Sequence, residues 1–280
     1  MIIFTSNNLN VLAIIAHPDD LSFFSAGTLA RWVEEGHDVN VICCTNGEVG
    51  TLRNDLTKED VAKKREKELR ASNNLLGFKE TLILEHSDAG FINPAVLRKE
   101  LVYLVRKYKA DRVVTFDPWA KYEVHPDHVV VGRMAAEAGA FAAFPLLYQD
   151  QLVDGVDPYA CSEIWLMGLL GHYPNAFVDI SSTLEKKVNA ALKFEATLEL
   201  LAELFSPNID PANVSEKQLK KLTRQANSLL RSIASVIGKK AGLEVAEAFY
   251  VQKTLPGHFD NFQQLMAEML GNAPEKPKIY

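Results

Sequence analysis

The chain has 280 residues, 48% of them hydrophobic, which is enough for one large α/β domain with a sizeable core or for two small ones. Its 30 basic and 36 acidic residues give a formal charge of -6, so composition offers no argument for nucleic-acid binding. No apolar run is long enough to cross a bilayer, and residues 1–10 carry neither a basic region nor a cleavage-site pattern, so a cytoplasmic protein without a membrane span is expected.

The first element is the run Val11-Leu12-Ala13-Ile14-Ile15-Ala16. It suits a strand buried on both faces, and it ends abruptly in His17-Pro18-Asp19-Asp20. Proline favours the first helical position and pushes the residue before it toward extended geometry. His17 is therefore expected at the strand end, with Asp19 and Asp20 in the first helical turn. Two adjacent carboxylates beside an imidazole make a nest for a hard or borderline cation; the same carboxylates could equally be helix caps. Phe23, Phe24, Ala26, Leu29, Ala30, Trp32 and Val33 then recur at helical spacing, with Gly36 as a stop.

Val39 to Thr45 reads as a second buried strand, and Asn46 to about Thr57 as a loop. Lys58 to Leu76 reads as a charged helix ending at Gly77, with Arg65 and Glu68 on one face. Thr81 to Leu84 is a short third strand. Glu85 to Gly90, which includes Asp88, is a loop, and Asn93-Pro94 cap and open a helix to about Tyr108. Arg112 to Phe116 is a fourth strand, followed by a loop to His125-Pro126-Asp127-His128 and a helix through Ala142. Strand and helix thus alternate four times, which implies a Rossmann-like, mostly parallel sheet with helices on both faces. Right-handed crossovers place the strand ends along one edge, and the loops there carry His17/Asp19/Asp20, Asn46/Gly47/Glu48, Asp88 and His125/Asp127/His128.

The later chain is less regular. Glu163 to Met167 and Ala176 to Asp179 read as strands. Ser182-Thr183-Leu184-Glu185 reads as a capping box opening a helix to about Leu204, and Ser206 to Val214 as a Pro/Asn loop. Ser215-Glu216-Lys217-Gln218 is a second capping box, opening a long helix to about Lys240. Residues 273–280 read as a loose tail.

His125-Pro126-Asp127-His128 repeats the logic of the opening stretch. Pro126 starts a helix, so His125 falls near the N-cap and His128 in the first turn, where the dipole favours the neutral imidazole that a metal needs. Alone, His-x-x-His is a weak signal that fits an ordinary surface helix; beside a second His-Pro-Asp turn on the same sheet edge it points to a metal site. Cys43, Cys44 and Cys161 are badly spaced for zinc, so the ligands would be imidazoles and carboxylates. Two histidines and one carboxylate on zinc leave a fourth position for water, the arrangement of a hydrolytic site.

The paired motifs Ala16-His17-Pro18-Asp19-Asp20 and His125-Pro126-Asp127-His128 resemble those of the LmbE-like (PIG-L) zinc-dependent N-acetylglucosamine deacetylases. Weaker matches extend the resemblance over most of the chain: Thr45-Asn46-Gly47-Glu48, Arg65 and Glu68, Asp88-Ala89-Gly90, Phe177 to Ser181, and Ala246-Glu247-Ala248-Phe249. It implies one deacetylase domain over 1–280, with 206–242 as a helical insertion. It also implies His17, Asp20 and His128 as ligands of Zn2+ or another divalent transition metal, Asp19 as general base, and His125 as the oxyanion or acid group. Arg65 and Asp88 become sugar-binding candidates, and Asp127 a supporting carboxylate that could hold His125 charged. The expected partner is a small amino-sugar substrate, with no nucleic acid; a homo-oligomer is left open. Two features depart from the family: Leu21 stands where a glutamate is usual, and Phe194-Glu195-Ala196 where a histidine is usual. Leu21 motivates a competing reading, a metal-binding sugar-recognition or regulatory module with little catalysis. A nucleotide-binding Rossmann protein is disfavoured, because the first strand–helix turn offers carboxylates where glycines would be needed. Trp119 and Tyr122, near His125, could stack on a sugar ring or simply pack.

Overall fold

The computed structural model describes residues 8–168, 173–205, 214–254 and 278–280. Strands β1 (Asn10–Ile15), β2 (Asp38–Thr45), β3 (Glu80–His86), β4 (Arg112–Phe116) and β5 (Glu163–Met167) pair in parallel in the order β3-β2-β1-β4-β5. Strands β7 (Ala246–Lys253), β6 (Ala176–Asp179) and β8 (Lys278–Ile279) continue the sheet, with β7 antiparallel to both β5 and β6. The expected α/β fold is therefore present, as an eight-stranded, mostly parallel sheet. Val11 to Ala16 are at most 1% exposed, because β1 lies mid-sheet with helices over both faces.

This strand order fixes where a site can form. The order reverses between β1 and β4, and the crevice beyond their carboxyl ends is where ligands sit in open α/β sheets. The two His-Pro-Asp turns follow these two strands. The second turn, beyond α4 (Pro94–Lys107), opens α5 (Pro126–Phe141), which precedes the short α6 (Asp150–Val153) and lies tightly on β4: a Cβ at Gly132 would stand 2.7 Å from the Phe116 carbonyl oxygen. That approach lets Phe116 stack on His128, with ring centroids 3.9 Å apart.

Several helices depart from the expected pattern, and the causes are long-range contacts. The first amphipathic stretch is two helices, α1 (Asp20–Phe24) and α2 (Ala26–Glu34), broken at Ser25. The buried Glu247 carboxylate accepts from the Gly27 and Thr28 amides at 3.0 and 2.7 Å, capping α2, and pairs with the buried Lys187 ammonium at 2.5 Å. The expected capping box at Ser182–Glu185 does not form. The Thr183 hydroxyl donates instead to the Gly27 carbonyl at 2.7 Å, and the helix that follows is two pieces, α7 (Leu184–Ala191) and α8 (Glu195–Phe205). The break buries Phe194 completely. The second capping box does form, at the start of α9 (Glu216–Ala241). Residues 206–213 and 255–277 lie outside the described residues, so the expected Pro/Asn loop and most of the tail are not described. The last residues are not loose: β8 pairs with β6, and the Tyr280 amide donates to the Phe177 carbonyl at 2.8 Å. No helix among the described residues is long and apolar enough to cross a membrane.

The charged helix α3 (Lys58–Leu76) packs against α7 and α8. Its Glu68 is 8% exposed and accepts from the Ala196 amide at 3.1 Å, while its second oxygen has no partner among the described residues. Burial raises the Glu68 pKa to about 7, against a partial offset from the Ala196 amide and Lys64. The folded state thus keeps this proton at pH values where the unfolded chain has released it, so the stabilisation is full at low pH and is lost as pH rises from about 4.5 to about 7. Glu68→Gln keeps the acceptor and removes the titration. The melting temperature of the wild type, relative to the variant, is expected to fall between pH 5 and pH 8; a difference that stays constant over that range would contradict the placement of Glu68.

Candidate active site

His17 lies two residues beyond β1, and its surroundings are unusual for a histidine. Its Nε2 is 3.2 Å from Asp127 Oδ2 and 3.3 Å from Asp88 Oδ1, while Asp20 Oδ2 accepts from the His17 amide at 2.7 Å and lies 3.6 Å from Nδ1. All four side chains are at most 9% exposed. The carboxylates come from three loops: Asp20 after β1, Asp88 after β3, and Asp127 in the first turn of α5. The crevice inferred from topology is thus a physical cluster.

His128, in the first turn of α5, places Nε2 3.5 Å from Asp20 Oδ1 and Nδ1 3.2 Å from Glu123 Oε2. Each of these two histidines therefore turns one ring nitrogen to an outer carboxylate and the other toward Asp20. That is the pattern by which outer carboxylates orient metal-binding imidazoles. His125 also joins the cluster, with one ring nitrogen within 4.8 Å of one on each of His17 and His128. Among the described residues two donor groups are thus on hand, the three imidazoles and the His17–Asp88–Asp127 set, besides the Asp20-centred arrangement.

The donor chemistry fits a divalent cation. Three buried carboxylates face one imidazole, and charge of that density in a low-dielectric site needs a positive partner. A proton can be that partner. Burial alone would lower the His17 pKa, but Asp20, Asp127 and Asp88 outweigh it and raise it to about 12. Burial likewise opposes protonation of His128, and Asp20 and Glu123 override it, raising its pKa to about 9. Asp20 is held ionised: burial would raise its pKa, but His17 and His128 lower it well below the usual carboxylate range. A cation would take over the role of these protons.

Asp19 and Asp20 are adjacent but diverge. Asp19 occupies the N-cap position of α1 without capping it through its side chain. Its Oδ1 accepts from Arg65 Nη2 at 2.5 Å and its Oδ2 from the Thr197 hydroxyl at 2.7 Å. Both residues implied for sugar binding lie buried among the site groups. Arg65 is 4% exposed and spends a nitrogen on Asp19; Asp88 is 5% exposed and accepts from the Val49 amide at 3.0 Å. The Asn46–Gly50 loop folds over Arg65, since a Cβ at Gly47 or Gly50 would collide with its guanidinium. The cause of that sequence pattern is therefore steric.

His125 is the N-cap of α5, its Nδ1 accepting from the Asp127 amide at 3.3 Å. Asp127 favours the charged form of His125, as expected, but is outweighed. Burial, followed by the nearby His17 and His128, lowers the His125 pKa, and Asp127 is engaged with His17 and the Ala89 amide. With Nδ1 as acceptor, neutral His125 carries its hydrogen on Nε2. Sequence reasoning misses Glu123, which also accepts from the His125 amide at 2.8 Å. A carboxylate two residues before the second His-Pro-Asp turn is the signal that could have found it.

Fold and site together define an α/β protein whose switch-point crevice holds a buried imidazole–carboxylate cluster suited to a cation. Residues 12–139 match the family model for PIG-L, GlcNAc-PI de-N-acetylase. The chain is 32% identical over 250 residues to the diacetylchitobiose deacetylase of Thermococcus kodakarensis, covering 89% of this chain and 84% of the relative. The solved structure of the N,N'-diacetylchitobiose deacetylase from Pyrococcus horikoshii, in complex with its inhibitor, superposes with a TM-score of 0.74 at 32% identity, covering 89% of this chain and 85% of that one. GalB, the 4-carboxy-2-hydroxymuconate hydratase of Pseudomonas putida, shares the fold at 18% identity with a TM-score of 0.66, covering 89% of this chain and 97% of that one. The chain belongs to the PIG-L (LmbE-like) family.

If the Asp20-centred arrangement binds the cation, metal analysis of purified variants is expected to separate the donor sets. Asp20→Asn and the His17→Ala/His128→Ala double variant should lose the metal, and His125→Ala should keep it. Glu123→Gln should weaken metal affinity by roughly 10- to 100-fold, the usual cost of removing an orienting carboxylate. Loss of metal from His125→Ala with retention in Asp20→Asn would favour the three-imidazole set.

Proposed function

We propose that the protein is a metal-dependent N-deacetylase that removes the acetyl group of an N-acetylglucosamine-type amino sugar or its conjugate, with zinc as the native metal. The observation that carries this reading is the separation of the adjacent carboxylates: Asp20 faces His17 and His128, while Asp19 turns to Arg65 and Thr197. That separation supports one carboxylate as a ligand and its neighbour as a base. The family membership and the deacetylases among its relatives support the reaction. The hydratase with the same fold is the reason for arguing from the site rather than from the fold.

In this reading His17, Asp20 and His128 hold the cation. When bound, it lowers the pKa of a water to roughly 7 and polarises the amide carbonyl. Asp19 takes the proton from the attacking water, and that proton is then available to the departing nitrogen. Neutral His125 donates its Nε2 hydrogen to the amide oxygen as that oxygen gains charge. Asp88 and Asp127 orient His17, and Glu123 orients His128. Arg65 fixes Asp19, and Arg65 and Asp88 stay the candidates to meet the sugar. The carboxylate usual in the family at Leu21 is not required for His128, whose Nδ1 already has Glu123.

The test is release of free amine from diacetylchitobiose and other N-acetylated amino-sugar conjugates, with and without chelator. Chelator-sensitive amine release is expected, and Asp19→Asn should keep the metal while losing at least ~10²-fold in turnover. His125→Ala should keep metal and substrate binding and lose roughly 10²–10³ in turnover. Full metal loading without amine release from any conjugate would favour the binding-module reading.

A further inference from the structure

We propose that Thr197, at the start of α8, is a positioning residue for Asp19, so that the late helical part of the chain sets the aim of the base. The inference rests on the proposed role of Asp19. Thr197 is 178 residues from Asp19 in sequence and 7% exposed, and its hydroxyl donates to Asp19 Oδ2 at 2.7 Å. Arg65 holds the other oxygen at 2.5 Å. The terminal torsion of an aspartate is broad, so a carboxylate held at one oxygen alone can swing about its Cβ–Cγ bond. Donors on both oxygens remove that freedom. Each oxygen keeps a second lone pair, so the base can still accept a proton.

The placement of Thr197 is itself constrained. The preceding residue, Ala196, donates its amide to the buried Glu68 carboxylate at 3.1 Å, and Glu199, one half-turn on, pairs with Lys64 at 2.9 Å. Lys64, Arg65 and Glu68 all lie on α3, which therefore serves the site twice. It contacts Asp19 directly through Arg65, and it pins the turn of α8 that delivers Thr197. The apolar side of the threonine would fill the same space without the hydroxyl, so packing and positioning can be separated by substitution.

The experiment uses the full-length, metal-loaded protein with diacetylchitobiose as probe. Thr197→Val keeps the shape and removes the donor; Thr197→Ser keeps the donor and removes a methyl group. Thr197→Val is expected to lower kcat by roughly 10- to 100-fold, the scale of a misplaced reacting group, with KM within about twofold and metal content unchanged. Thr197→Ser should restore most of kcat. The Asp19→Asn/Thr197→Val double variant should be no slower than Asp19→Asn, because Thr197 acts through Asp19. Wild-type turnover in Thr197→Val would overturn the proposal. So would equal losses in the Val and Ser variants accompanied by lower melting temperatures, which is the signature of packing alone. If the wild type releases no amine, the deacetylase reading fails by itself. A crystal structure of Thr197→Val then decides the inference: a rotated Asp19 carboxylate supports it, and an unmoved one overturns it.

Discussion

Three buried carboxylates surround one buried imidazole, and the rest of the site follows from that excess of negative charge. Asp20, Asp88 and Asp127 approach His17 from three different loops. Left unpaired, charges so placed would cost several kcal/mol each. Protons on His17 and His128 meet part of the demand, which is why both imidazoles are raised in pKa despite burial. A divalent cation meets it more fully, and it needs the two imidazoles neutral. The sheet makes this concentration of charge feasible. The reversal of strand order at β1 and β4 opens a crevice, and the loop amides of His17, Val49 and Ala89 donate to Asp20, Asp88 and Asp127 there.

The second constraint is that two neighbouring carboxylates must not do the same job. Asp19 and Asp20 share a turn, yet their contacts divide cleanly. Asp20 looks to the imidazoles, and Asp19 to a guanidinium and a hydroxyl. Arg65 reaches Asp19 only because Gly47 and Gly50 leave room for its guanidinium. Thr197 reaches it because α8 starts afresh at Glu195. The loop after β2, the charged helix α3 and the late helix α8 thus converge on one side chain.

What can be read from the sequence is what is coded locally. The buried strands, the proline-started helices and the two His-Pro-Asp turns are patterns within a few residues, and the parallel pairing of β1 to β4 follows from strand–helix alternation. The carboxylate cluster is legible as loops on one edge, without its distances. The breaks at Ser25 and after Ala191 are not legible, because Glu247 and the burial of Phe194 set them from far along the chain. Strand β7 escapes a sequence reading because only its first half is buried, so it lacks the continuous apolar run of its neighbours. The Ala246–Phe249 pattern turns out to be structural, with Glu247 capping α2 and pairing with Lys187. The Arg65–Asp19 pair is not legible either, because a charged helix offers no sign of which charge is buried.

In the proposed site one cation sits between His17, Asp20 and His128 while Asp19 stays off it. Anomalous diffraction from crystals of the zinc-loaded protein, collected on both sides of the zinc edge, tests this most directly. A single strong peak is expected within bonding distance of those three side chains and beyond bonding distance of Asp19. A peak held by Asp88 and Asp127, a peak bonded to Asp19, or no peak at full zinc loading would contradict it.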